Sequence, residues 1–214
     1  MDLIAYLFDF FIHLDRHLSV LIQNFGGWSY LILFLIIFCE TGLVVTPILP
    51  GDSLLFGLGT FAAMGALDIT LLAILLPAAA ITGDSVNYTI GRIVGPRVFK
   101  RPDSRFLKKE YLDRTHRFYE RHGGKTIILA QYMPIIRTYA PFVAGIGKMS
   151  YRWFITFNVI GCVSWVMIFL FGGYYFGNIR IVKNNFTFVI MAIVIISVLP
   201  AFIEYFRHKV TASS

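Results

Sequence analysis

The chain has 214 residues, of which 57% are hydrophobic and 14% charged, with a formal net charge of +7. Soluble domains carry about a quarter charged residues, so this composition excludes an ordinary soluble globule and asks for lipid as the covering solvent. The length allows one domain.

The first 26 residues mix charge with apolar positions at helical spacing. Met1 to Gln23 lacks a basic leader and carries Asp2, Asp9, Asp15 and Arg16. It reads as an interfacial amphipathic helix and not as a cleaved signal. Residues 28–65 are apolar but interrupted at the centre by Glu40, Pro47, Pro50, Gly51 and Asp52. Proline inside a helix removes a hydrogen bond and clashes with the preceding turn. Lipid tolerates no free backbone polar groups, so a broken segment at membrane depth is buried in protein or lines a watery cavity. This segment is predicted to be a re-entrant hairpin.

Residues 68–95 form the first predicted spanning helix, since about 20 apolar residues cross a bilayer. Residues 96–124 form a basic segment with helical content. Ten Lys or Arg fall between Arg97 and Lys125. The positive-inside rule places such a loop in the cytoplasm without invoking nucleic acid. Residues 125–148 repeat the broken pattern with Pro134, Arg137, Pro141 and Gly145. Arg121 and Lys125 precede this segment, and Lys148 and Arg152 follow it. Both ends therefore face the cytoplasm, which predicts a second re-entrant hairpin. By the same parity the first opens outward. Residues 152–177 and 186–206 are two further predicted spans. Tyr151, Trp153, Tyr174, Tyr175 and Tyr205 near their ends suit an aromatic belt. The fold class expected is an all-α integral membrane protein. It is an inverted repeat of two broken-helix hairpins with about three transmembrane helices, plus amphipathic N-terminal and cytoplasmic helices.

Ionisable groups inside a membrane cost roughly 2.5–3.5 kcal/mol each. Glu40, Asp52, Asp84 and Arg137 are such groups. Glu40 and Asp52 bracket the first break, and Arg137 sits in the second. Two readings stay open: a buried ion pair that locks two hairpins, or a titrating carboxylate beside a guanidinium that grips phosphate. Asn87, Tyr88 and Gly91 share the helix face of Asp84, which reads chiefly as packing against the hairpins. Gly91 and Gly95 suit close helix approach. Gln131, Thr138, Asp84, Tyr88 and Arg92 are taken as the lining of the cavity. Pro47, Pro50, Gly51, Pro134, Pro141 and Gly145 are taken as helix breaks. Cys39 and Cys162, both in apolar runs, are read as packing residues and not as a disulfide. Gly51-Asp52-Ser53-Leu54 spells a lipolytic box, and Asp113-Arg114-Thr115-His116 supplies its Asp-x-x-His. Neither lies on the scaffold that a Ser-His-Asp hydrolase needs. No metal motif is present, no cofactor is expected, and the chain is not expected to be an enzyme.

Several motifs together resemble the DedA family of bacterial membrane proteins, within the VTT superfamily. They are Glu40-Thr-Gly with Pro47-Ile-Leu-Pro-Gly-Asp52, and Gly83-Asp84-x-x-x-Tyr88-x-x-Gly91-Arg92. Then come Pro134-x-x-Arg137-Thr138-x-x-Pro141-x-x-Ala144-Gly145, Asn158-x-x-Gly161 with Trp165, and Gly173-Tyr174. The resemblance runs from about Met1 to Lys209. It implies a multi-pass protein of the bacterial inner membrane that moves lipid with proton coupling. The implied cargo is undecaprenyl phosphate, or alternatively phosphatidylethanolamine or phospholipids in general. It also implies that Glu40, Asp52 and Arg137 are essential. Many relatives carry a second Arg six residues before the last one, where this chain has Gln131. A neutral amide does not hold phosphate charge as Arg does. The expected partners are membrane lipids and protons, with a homo-oligomer left open. A proton-linked antiporter of small solutes and a non-transporting membrane organiser are the alternatives.

Overall fold

The computed structural model describes residues 14–43, 51–98, 124–177 and 179. They form seven helices in chain order: α1 (Leu14–Phe25), α2 (Trp28–Gly42), α3 (Gly51–Ala63), α4 (Ile69–Val98), α5 (Gly124–Ala130), α6 (Pro134–Ile146) and α7 (Tyr151–Phe176). No strand occurs among the described residues. The predicted span at 186–206, most of the basic segment, the N-terminal part of 1–26, and Pro47 and Pro50 lie outside them.

Among the described residues, two helices are long and apolar enough to cross a membrane. They are Ile69–Gly95, with 27 residues, and Tyr151–Phe176, with 26. At about 1.5 Å per residue each exceeds a hydrocarbon core of about 30 Å. Leu71, Ile74, Val86 and Ile93 on α4 are exposed, as are Trp153, Ile160, Ile168 and Tyr175 on α7. Apolar exposure on this scale suits a lipid solvent. α2 and α3 have only 15 and 13 residues, so each falls short of a span at about 1.5 Å per residue. The interruption predicted in 28–65 thus separates two short helices.

Asp68 starts α4. Its Oδ1 accepts the backbone N–H groups of Thr70 at 2.7 Å and Leu71 at 3.0 Å, two of the donors a helix start leaves over. The Leu71 and then the Thr70 bonds hold this carboxyl below the usual carboxylate range. A depressed pKa stabilises the fold above the unfolded-state value. That contribution is lost as pH falls through the lower folded value. Asp68→Ala is therefore expected to lower the unfolding temperature at neutral pH, with the deficit vanishing in strong acid. Asp68→Asn, which still caps, should lose less. Unfolding followed by helical signal from neutral to strongly acidic pH checks both.

The second broken segment is a pair of packed helices, α5 and α6, joined by residues 131–133. The N–H groups of Gln131, Tyr132 and Met133 reach back three residues at 3.2, 3.2 and 3.0 Å, the tightening that ends a helix. The break therefore falls before Pro134, which takes the first helical position. Pro141 and Gly145 correct the expectation of further breaks. α6 runs through both. Pro141 has no N–H to give the Arg137 carbonyl, yet a helix packed by its neighbours survives the loss of one bond. Gly145 is a contact residue: a Cβ there would strike the Tyr88 carbonyl. Gly51 does stand at an element boundary, as the first residue of α3.

Contacts divide the described residues into two compact units. One takes α1, α2 up to Phe34, α3, α4 up to Leu76, and α7 from Val166. In it α3 is buried from Gly51 through Thr60, and α1 packs on it. Thr60 Oγ1 donates to the Gly173 carbonyl at 3.3 Å. The other takes α2 from Leu35, α4 from Pro77, α5, α6, and α7 up to Trp165. Its apolar core joins Tyr88, Ile127, Ala130, Ala140, Ala144 and Phe154.

Close backbone approach holds this second unit. A Cβ on Gly91 would meet the Phe142 carbonyl, and one on Gly95 would lie 3.3 Å from the Ile146 Cα. The expected small-residue packing of α4 is thus directed at α6. Gly91→Ala should destabilise the protein by about 1–3 kcal/mol through overpacking against backbone. Gly27→Ala has nothing within 4 Å of the added carbon and should be neutral. Heat unfolding of the purified variants compares the two.

Candidate functional site

The second unit gathers most of its buried polar side chains on five pieces of chain. Glu40 and Thr41 come from the last turn of α2. Asp84, Asn87 and Tyr88 come from one face of α4. Gln131 stands just beyond α5, Arg137 and Thr138 lie on α6, and Asn158, Cys162 and Trp165 lie on α7. Glu40 is 2%, Asp84 0% and Arg137 3% exposed. These ionisable groups are withdrawn from lipid and water alike, which membrane helices do at functional positions or in locked pairs.

Arg137 donates from Nη2 to Glu40 Oε1 in a buried salt bridge. Its guanidinium also lies over the Trp165 ring, 4.2 Å from the centroid, a cation–π arrangement that strengthens away from water. Asn87 ties three helices together. Its Nδ2 donates to the Thr41 carbonyl at 3.0 Å and to the Thr138 carbonyl at 2.8 Å. Thr41 Oγ1 in turn donates to the Ala80 carbonyl at 3.4 Å. The chain around Arg137 is thereby held to α2 and α4 through backbone as well as charge.

Gln131 points at Asp84. Its Nε2 donates to Asp84 Oδ2 at 2.7 Å and to Asn158 Oδ1 at 3.2 Å. Cys162 Sγ lies 3.3 Å from the same Asp84 oxygen. Asp84 thus has neutral hydrogen-bond partners, while Glu40 holds the guanidinium.

Of the residues named from sequence, Glu40, Asp84, Tyr88, Gln131, Arg137 and Thr138 belong to this unit and are buried. Tyr88 faces away from the charges: its hydroxyl donates to the Met149 carbonyl and its ring stacks on Phe154 at 4.5 Å. Arg92 is exposed on α4. Asp52 is buried in the first turn of α3, in the other unit, where a helix N-terminus favours a carboxylate. Reading for charge alone passed over Asn158, Cys162 and Trp165. Their signal was a polar or aromatic residue at spacings of four and three along α7, which places all three on one face. Cys39 and Cys162 are not joined in a disulfide.

The VTT domain family matches residues 49–175. The chain is 54% identical over 215 residues to Protein DedA of Escherichia coli (strain K12), across 100% of this chain and 98% of that protein. It is 43% identical over 177 residues to the uncharacterized membrane protein Rv0364 of Mycobacterium tuberculosis (strain ATCC 25618 / H37Rv), across 82% and 78%. It is 33% identical over 152 residues to inner membrane protein YqjA of Escherichia coli (strain K12), across 71% and 69%. No solved structure matches the chain.

Proposed function

The chain belongs to the DedA family of VTT-domain membrane proteins, and from that premise we propose that it moves a phosphate-bearing lipid across the bacterial inner membrane with proton coupling. The observation that carries the reading is the buried Glu40–Arg137 pair within apolar helices. A guanidinium is the side chain best matched to a phosphate, which it grips through two parallel bonds. Protonation of Glu40 would release Arg137, and a lipid phosphate would then take the carboxylate's place. Asp52, in the first turn of α3, is the second carboxyl that the family resemblance puts forward for this role.

We read the second broken segment as a re-entrant hairpin opening to the cytoplasm from its flanking charges, and the first, by parity, as one opening outward. Undecaprenyl phosphate is the cargo favoured by the family resemblance, and phosphatidylethanolamine is the second. No covalent chemistry is required. One relative is named an inner membrane protein, and the same location is proposed here.

A second reading has its own support. Arg137 is held by Glu40 and by Trp165 together, as in a lock that organises helices without moving cargo. Reconstitution in liposomes with labelled undecaprenyl phosphate or phosphatidylethanolamine, with and without a pH gradient, separates the two. The transport reading expects gradient-dependent loss of one labelled lipid from the accessible leaflet. Protein-free rates for both lipids would leave the lock.

A further inference from the structure

The buried charges of the second unit do not balance. Among its described residues, Glu40 and Asp84 are the buried carboxyls and Arg137 the buried cation. The Arg137 guanidinium is bonded to Glu40. The groups beside Asp84 are neutral: the Gln131 amide, on the turn between α5 and α6, with the Cys162 thiol and the Asn158 amide on α7. An uncompensated carboxylate at 0% exposure is far costlier than a paired one.

The same place holds surplus oxygen. Asp84 Oδ1, Asn87 Oδ1 and Gln131 Oε1 are buried and have no hydrogen-bond partner. Asp84 and Asn87 stand three residues apart on α4 and so share a face. Gln131 is turned onto Asp84 by its 2.7 Å bond. Buried acceptors are nearly always satisfied in native proteins, and each leftover one asks for an explanation. Asn158 Nδ2 is a leftover donor beside them, suited to the oxygen of a water. A small cation would answer both the missing positive charge and the three oxygens without donors.

We propose that Asp84, with Asn87 and Gln131, forms a buried site for a small monovalent cation, either sodium or a proton. A carboxylate with neutral oxygens is the donor set that hard cations prefer, and a proton on Asp84 answers the same charge deficit. The ion stabilises the second unit by binding the folded chain only. The site does not depend on the lipid reading, because ion binding is measured without transport.

The full chain in detergent tests this. Its unfolding temperature is followed at constant ionic strength, first as choline is replaced by sodium at fixed pH, then as pH is lowered without sodium. The site predicts that one series raises the midpoint of the wild type, by steady increments per tenfold of ion once the site fills. Asp84→Asn removes that response, as the difference from wild type. Gln131→Arg supplies a fixed cation beside Asp84 and should also remove it, with a raised midpoint before any ion is added. This second variant keeps Asp84 and decides the matter if Asp84→Asn does not fold. A response to sodium identifies a metal cation, and a response to acid alone identifies a proton. A wild type indifferent to both ions, or a full response surviving in both variants, would overturn the site.

Discussion

Arg137→Ala is expected to lose about 3–5 kcal/mol of stability, because removing one partner of a buried ion pair strands the other. Glu40 is only 2% exposed and accepts from Arg137, so the stranded carboxylate has no route to water. The double variant Glu40→Gln/Arg137→Ala should recover part of the loss, since a neutral amide needs no counter-charge. That recovery measures the coupling between the two. Arg137→Lys keeps the charge but loses the planar fork and the stacking on Trp165, 4.2 Å away. It should remain folded and fail in transport. Chemical or heat unfolding in detergent gives the stabilities. An Arg137→Ala variant within about 1 kcal/mol of wild type, the typical surface-pair range, would mean that the pair is not buried as described.

The second large effect concerns protons. Glu40→Gln and Asp52→Asn preserve shape and remove a carboxyl that the proposal assigns to proton coupling. Each should leave a folded, inserted protein whose lipid movement no longer follows pH as the wild type does. Glu40→Gln acts most directly, because it releases Arg137 permanently. In that variant no carboxylate at position 40 competes with phosphate for Arg137 at any pH, and the proton-driven step that returns Arg137 to the carboxylate is lost.

Much of this site was legible in the sequence because membranes tax charge. Glu40, Asp84 and Arg137 stand out in apolar runs, and the structure gathers all three in one unit. The packing role of Gly91 and Gly95 was equally plain, since spacing fixes a helix face. Pro141 misled because a proline rule describes an isolated helix, whereas α6 is held by α4, α5 and the Asn87 bonds. The partnership of Gln131 with Asp84 was not legible at all. It joins residues 47 positions apart, and only the packing of α4 against the turn after α5 brings them together. Asn158 and Trp165 stood out only as parts of a family motif and Cys162 only as a packing residue; their place around Asp84 and Arg137 was hidden for a related reason. Hydropathy reports that α7 is apolar as a whole and says nothing of the polar stripe it turns inward.

The most direct test is the rate of phosphate-bearing lipid movement in proteoliposomes across a series of pH values, for wild type beside Glu40→Gln and Asp52→Asn. The account predicts a pH-dependent rate in the wild type that becomes flat in the amide variants, compared on protein shown to be folded and inserted, Glu40→Gln with the lower unfolding temperature that loss of a buried pair brings. Two amide variants that both follow the wild-type pH profile would contradict it, and would leave Glu40 and Arg137 as a structural lock.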